Sequence, residues 1–259
     1  MLNLGLNLTS NIVRDAATIG GSSYRDGVAN AYSLAFDGLN DSVTLGDFPA
    51  LGDAFTISLW TKWDSLPSAG DYDNLISFGG ASAELETFVI GRHAVADVLH
   101  RLYVWDGSNT YLATTVVSTG SWYNIIVVVK PTSGRLAFYV NGVSETIEQP
   151  SADWDIGSTS DGMLGRWHSG AYSYMAGYID EVAVFDTNLT ADDAEDIYNG
   201  GTPTDLAQSA SYDTDRTGDL VRYWRMTEGT GSWVANSAGT GAYSGSLSST
   251  TWSSEAAPN

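Results

Sequence analysis

The groups that could do chemistry in this sequence are carboxylates and aromatic rings, because it holds no cysteine and only three histidines. The absence of thiols excludes disulfides, thiolate nucleophiles and cysteine-held metals. His93, His100 and His168 fall at intervals that fit no familiar ligand spacing. Glycoside hydrolysis needs two carboxylates across one cleft. Glu84 and Glu86 share a strand face, but without a third acid or flanking aromatics they read as a solvated strand start. No Gly-x-Ser-x-Gly nucleophile elbow occurs. Asp180 is different. Strand alternation puts Tyr178, Asp180, Val182 and Val184 on one face. A carboxylate among valines has to be hydrogen-bonded, paired or metal-bound, since burying it bare is costly.

The nine tryptophans are more than one core absorbs without crowding. Two stretches set rings beside polar loop groups: Trp105-Asp106-Gly107-Ser108-Asn109-Thr110-Tyr111 and Arg166-Trp167-His168-Ser169-Gly170-Ala171-Tyr172. Trp105, Tyr111, Trp167 and Tyr172 are therefore the candidate contact residues. Such rings stack on a sugar while their neighbours bind its hydroxyls, but an oligomer interface asks for the same residues. The interface is the preferred reading of the two.

The elements that must position these groups are short strands. Phe55, Ile57 and Leu59 alternate with Thr56, Ser58 and Trp60, as on a half-buried strand. Trp122 to Val129 is β-branched and aromatic, and Leu136 to Val140 runs into Asn141-Gly142, the favoured two-residue hairpin turn. Further strands are predicted at 33–38, 41–45, 74–78, 86–91, 102–107, 111–117, 143–147, 162–167, 176–185 and 220–226. One short helix is expected near 190–199. Thr190 caps it, Asp193 answers from N3, Leu189 takes the staple position and Asn199-Gly200-Gly201 stops it. The fold class is all-β, an antiparallel sandwich or jelly roll. Residues 1–31 read as an N-terminal arm, 32–201 as the sandwich, and 202–259 as an extension packed on the same sandwich.

Charge narrows the partners. There are 11 basic and 31 acidic residues, a net charge of −20. A surface of that sign repels phosphate backbones, so nucleic-acid binding is not expected. No apolar run approaches the 18 or so residues of a membrane span, so no membrane insertion is expected. The start, Met1 to Leu8, lacks a basic region and does not read as an export signal.

Three stretches resemble the laminin-G-like, concanavalin-A-like jelly-roll superfamily. They are Ser33-Leu34-Ala35-Phe36-Asp37-Gly38 with Asp41 and Val43, the hairpin from Trp122 through Asn141-Gly142, and Gly177-Tyr178-Ile179-Asp180-Glu181-Val182 continuing to Phe185 and Leu189-Thr190. The resemblance implies a calcium site near the aspartate of the last motif, which makes Asp37, Asp41 and Asp180 the candidate Ca²⁺ ligands. The bland alternative is that Asp180 caps a neighbouring turn while Asp37 and Asp41 form one. The resemblance also implies a range of binding and structural roles rather than one function. The first reading is a non-catalytic virion subunit of a bacteriophage, a capsid decoration or tail-associated protein that acts through protein contacts and forms a homo-oligomer. Its assembly arm would carry Leu2, Leu4, Leu6 and Leu8. The alternative is an extracellular, lectin-like module that binds a glycan; a glycan-active enzyme comes third.

Overall fold

The computed structural model describes residues 30–47, 51–52, 54–66, 71–79, 88–93, 100–107, 109–130, 135–148, 161–168, 170, 172–238 and 244–258. Most of the expected arm, with Leu2, Leu4, Leu6 and Leu8, lies outside these residues, as do Glu84 and Glu86.

Two antiparallel sheets face each other. The first runs β10 (Val143–Glu148), β9 (Arg135–Val140), β8 (Trp122–Lys130), β3 (Phe55–Trp63), β12 (Ala176–Phe185), β1 (Ser33–Asp37), β16 (Thr251–Ser253). Beyond β1, β12 also pairs with β13 (Leu220–Trp224). The second runs β14 (Trp233–Val234), β15 (Gly245–Ser248), β2 (Ser42–Asp47), β11 (Asp161–Leu164), β4 (Tyr72–Gly79), β5 (Phe88–His93), β6 (Arg101–Trp105), β7 (Thr110–Val116). The sandwich foreseen in the sequence is the fold. Strands drawn from 220–253 join both sheets, with β13 and β16 in one and β14 and β15 in the other.

Alternation decides what each strand buries. On β3, Phe55, Ile57 and Leu59 enter the core between the sheets and meet Ile125, Val127 and Val129 of β8. The opposite face of the first sheet is covered too. There Ile126, Val128, Ala183, Phe185 and Tyr223 pack under Leu189, under Ala194 and Ile197 of helix α1 (Ala191–Tyr198), and under Leu206 and Tyr212. The covering follows from the sequence, because only a buried second face explains the apolar residues at both parities of β8 and β12.

Helix α1 is capped as its sequence requires. The Asp193 amide donates to the Thr190 side chain, and the Asp193 carboxylate accepts from the Thr190 amide at 2.8 Å. Arg216 then holds Asp193 from outside at 2.8 Å. Asn199 ends the helix in the left-handed region at φ 46°. Thr190→Ala is expected to cost about 1 kcal/mol, the usual worth of such a cap, as a shift in the urea midpoint at unchanged m-value. No shift would show that packing alone holds the helix.

The edges of the two sheets meet where β10 passes β7. Glu145 of β10 accepts the backbone amides of Thr114 and Thr115 at 3.0 and 2.9 Å, and the Thr115 hydroxyl as well.

Candidate functional site

The middle of β12 departs from simple alternation. Its pairing with β3 shifts between Asp180 and Ala183, and Glu181 takes φ 49° inside the strand. An extra residue is absorbed there as a bulge. Ile179, Val182 and Val184 consequently share the core, and Asp180 does not lie on the face of the valines as alternation had suggested. Asp180 and Glu181 are both buried, side by side.

Each carboxylate is fully engaged by the protein. Asp180 Oδ1 accepts from Asn30 Nδ2 at 2.8 Å and from the Glu181 amide at 2.9 Å, while Oδ2 accepts the Ala257 amide at 2.9 Å. Asn30 also donates to Glu181 Oε1 at 3.1 Å, and the Tyr223 hydroxyl donates to Oε2. Arg225 is the cation at this centre, 3.7 Å from Glu181 and 3.4 Å from Asp205. Burial raises the Asp180 pKa well above the ordinary carboxylate range, and its neighbour Glu181 adds to the rise. Burial also pushes Glu181 up to about 7, against the pull of Arg225.

Asp37 and Asp41 lie apart from this pair. Asp37 stands opposite Ala176 on β12, four residues from Asp180 and so about 13 Å along the strand. Its Oδ1 accepts the amides of Leu39 and Asn40, and Asp41 Oδ2 accepts the Asp37 amide, all within 3.2 Å. N–H donors thus meet one carboxylate oxygen of each of these two residues and both of Asp180. Among the described residues no group of three His, Cys, Asp or Glu side chains converges on a point.

The aromatic candidates assemble elsewhere, on the face of the second sheet turned away from the core. Along β6, Leu102 and Val104 point inward, leaving Tyr103 and Trp105 outside. Across the strands Asn74, Gly91 and Tyr103 stand in register. Gly91 is required here, because a Cβ at that position would come within 2.8 Å of the Tyr103 ring and 2.3 Å of the Asp73 carbonyl. Over this bare spot the Tyr103 hydroxyl donates to Asn74 Oδ1 at 2.5 Å.

The segment after β11 supplies the wall. Trp167 lies 5.1 Å from Trp105 and stacks on Tyr172 at 5.9 Å with an interplanar angle of 20°. The Ser173 carbonyl ties this segment to the sheet by accepting the Asn74 amide at 3.0 Å. Together these residues enclose a cleft of about 230 Å³ lined by Tyr72, Asn74, Tyr103, Trp105, Trp167 and Tyr172, with Thr110 and Ser173 at its rim. A second hollow of about 380 Å³ continues past Tyr72 and Tyr172 toward Asp71 and Asp73. Asp73 is neutralised by Arg92, a fully buried ion pair at 2.8 Å.

Three of the four aromatic residues singled out by sequence therefore line one cleft. Tyr111 does not. It pairs with Val104 and so turns into the core, where its hydroxyl donates to Asp106 at 2.8 Å, while Thr110, opposite Trp105, faces the cleft. Tyr72, Asn74 and Tyr103 were missed, because their meeting depends on the register of three strands. The local signal was Gly91 directly after the apolar run Phe88-Val89-Ile90, a mark of close approach.

Residues 36–195 match the Laminin_G_3 family model, whose description is the Concanavalin A-like lectin/glucanases superfamily. No curated protein matches the chain. Among solved structures, a candidate carbohydrate binding protein from Bacteroides ovatus superposes with a TM-score of 0.64 at 17% identity. That likeness covers 87% of this chain and 60% of the other, so the chain spans less than two thirds of that relative's length. A heptameric SAP-like pentraxin from Limulus polyphemus superposes with a TM-score of 0.54 at 17% identity, over 65% of this chain and 82% of the pentraxin.

Proposed function

The chain belongs to the Concanavalin A-like lectin/glucanases superfamily, and from that premise we propose that it is a carbohydrate-binding module displayed outside the cell, with the aromatic cleft as its site. The observation that carries this reading is the framing of a concave pocket by Trp105, Trp167 and Tyr172 above a polar floor. Sugar rings present apolar C–H faces that stack on aromatic rings, and hydroxyls that need hydrogen-bonding partners, so one site must offer both. The eight cleft-lining residues include no acid, and therefore no carboxylate pair of the kind that glycoside hydrolysis needs. On this reading the module binds and does not cleave.

The cleft lends no support to the first expectation, a virion subunit working through protein contacts. A stable interface of standard size buries about 800 Å² on each partner. The rings here instead enclose a space closer to one sugar residue. The leucine arm on which the virion reading leaned lies outside the described residues.

A glycan array followed by calorimetry, run in chelator and again in millimolar calcium, tests the proposal. Selective binding of one glycan class by the monomer is the expected result. If every glycan fails and the mass in solution is that of a closed oligomer, the cleft is a subunit contact. The calcium arm separately tests the Asp37, Asp41 and Asp180 assignment.

A further inference from the structure

The floor of the cleft is more specific than its walls. Asn74 is wholly buried, and its carbonyl end is committed to the Tyr103 hydroxyl. Its Nδ2 has no hydrogen-bond partner. A buried amide nitrogen with two unused N–H donors is costly unless something supplies an acceptor. The Ser173 carbonyl in the wall segment accepts the Asn74 main-chain amide at 3.0 Å, not the side-chain nitrogen.

We infer that this cleft selects sugars bearing an acetamido group, and that Asn74 is the residue which reads it. This rests on the carbohydrate-binding reading above. An amide carbonyl is a strong acceptor and brings no hydroxyl proton of its own, so it fits a donor-only nitrogen better than a ring hydroxyl does. The acetamido N–H meets acceptor oxygens already at the site, the Tyr103 hydroxyl oxygen and the Thr110 side chain. Its methyl group meets the Trp105 and Trp167 rings. Carboxylated sugars are opposed twice: none of the eight cleft-lining residues is cationic, and the chain as a whole carries −20. The cleft, at about 230 Å³, is below the range that encloses a whole drug-sized ligand, so it takes one residue, with the adjoining hollow open to the next.

Matched pairs give the test. Calorimetric titrations compare N-acetylglucosamine with glucose oligosaccharides of the same linkage and length, and N-acetylgalactosamine with galactose. A preference of at least tenfold for the acetamido member of one pair is expected. Asn74→Ala should reduce that preference to under threefold. Should the variant fold poorly, the wild-type comparison stands alone. Equal binding within both pairs, or a preference for the hydroxyl sugars or for a sialylated control, overturns the acetamido inference and leaves the carbohydrate reading in place. Failure of every sugar removes both.

Discussion

Arg225→Met is expected to destabilise the protein by about 3 kcal/mol at neutral pH, as removal of one partner from a buried charged group typically does. The arginine is largely buried and pairs with the buried Glu181, next to the buried Asp180, so its loss leaves Glu181 without its cation. Methionine fills much of the same space and isolates the charge from the volume. The cost should depend on pH in a definite direction. Glu181 titrates at about 7 in the folded protein, against 4.5 for the ordinary side chain. The folded state therefore binds more protons than the unfolded one between those values, and stability falls as pH rises through that window. In the variant the missing attraction raises the folded value further, which deepens the loss at pH 7.5. At pH 5 the carboxyl is protonated in the folded state, and the variant should recover most of the difference. Urea melts of both proteins at the two pH values check this. A deficit of equal size at pH 5 and 7.5 would assign the effect to packing. Glu181→Gln in the wild-type background should flatten the pH dependence.

The second large effect is functional. Trp167→Ala is expected to weaken glycan binding at least 30-fold, about 2 kcal/mol, because it removes the ring on which both Trp105 and Tyr172 lean. The residue is half-buried in a connecting segment, so the melting temperature should move little. Tyr111→Phe is the control. It loses one hydrogen bond to Asp106 behind the cleft and should leave affinity within twofold. If the two variants bind alike, the ligand sits elsewhere on the sandwich.

The fold was legible in the sequence wherever a local rule decided it. The capping residues around α1 and the Asn141-Gly142 turn, with φ of 51° and 75°, needed only neighbours along the chain. Local rules failed at β12. A one-residue bulge at Glu181 undid the alternation that had put Asp180 among valines, and nothing in the strand's composition announces a bulge at a glutamate. The partners of that pair come from distant parts of the chain: Asn30, Tyr223, Arg225 and the Ala257 amide. The cleft was legible in part. Trp105, Trp167 and Tyr172 stood out by type, since large rings beside loop polar groups are uncommon in a core. Their floor did not, because it needs Asn74, Gly91 and Tyr103 aligned across three strands. Tyr111 was misplaced by one position, which in a strand is the difference between the two faces.

Glu145 gives the sandwich a property that the binding surfaces do not. The outermost strands of an open sheet display unpaired amides, and these are what a foreign β-segment would recruit first. At the rim where β7 and β10 meet, the amides of Thr114 and Thr115 are already saturated by a carboxylate. An incoming chain would have to displace a charged group to reach them. Val116 and Val143 can therefore stay exposed nearby without turning that rim into a seed for fibrous stacking. One acidic side chain caps the donors that this border of the sandwich would otherwise offer to a second strand.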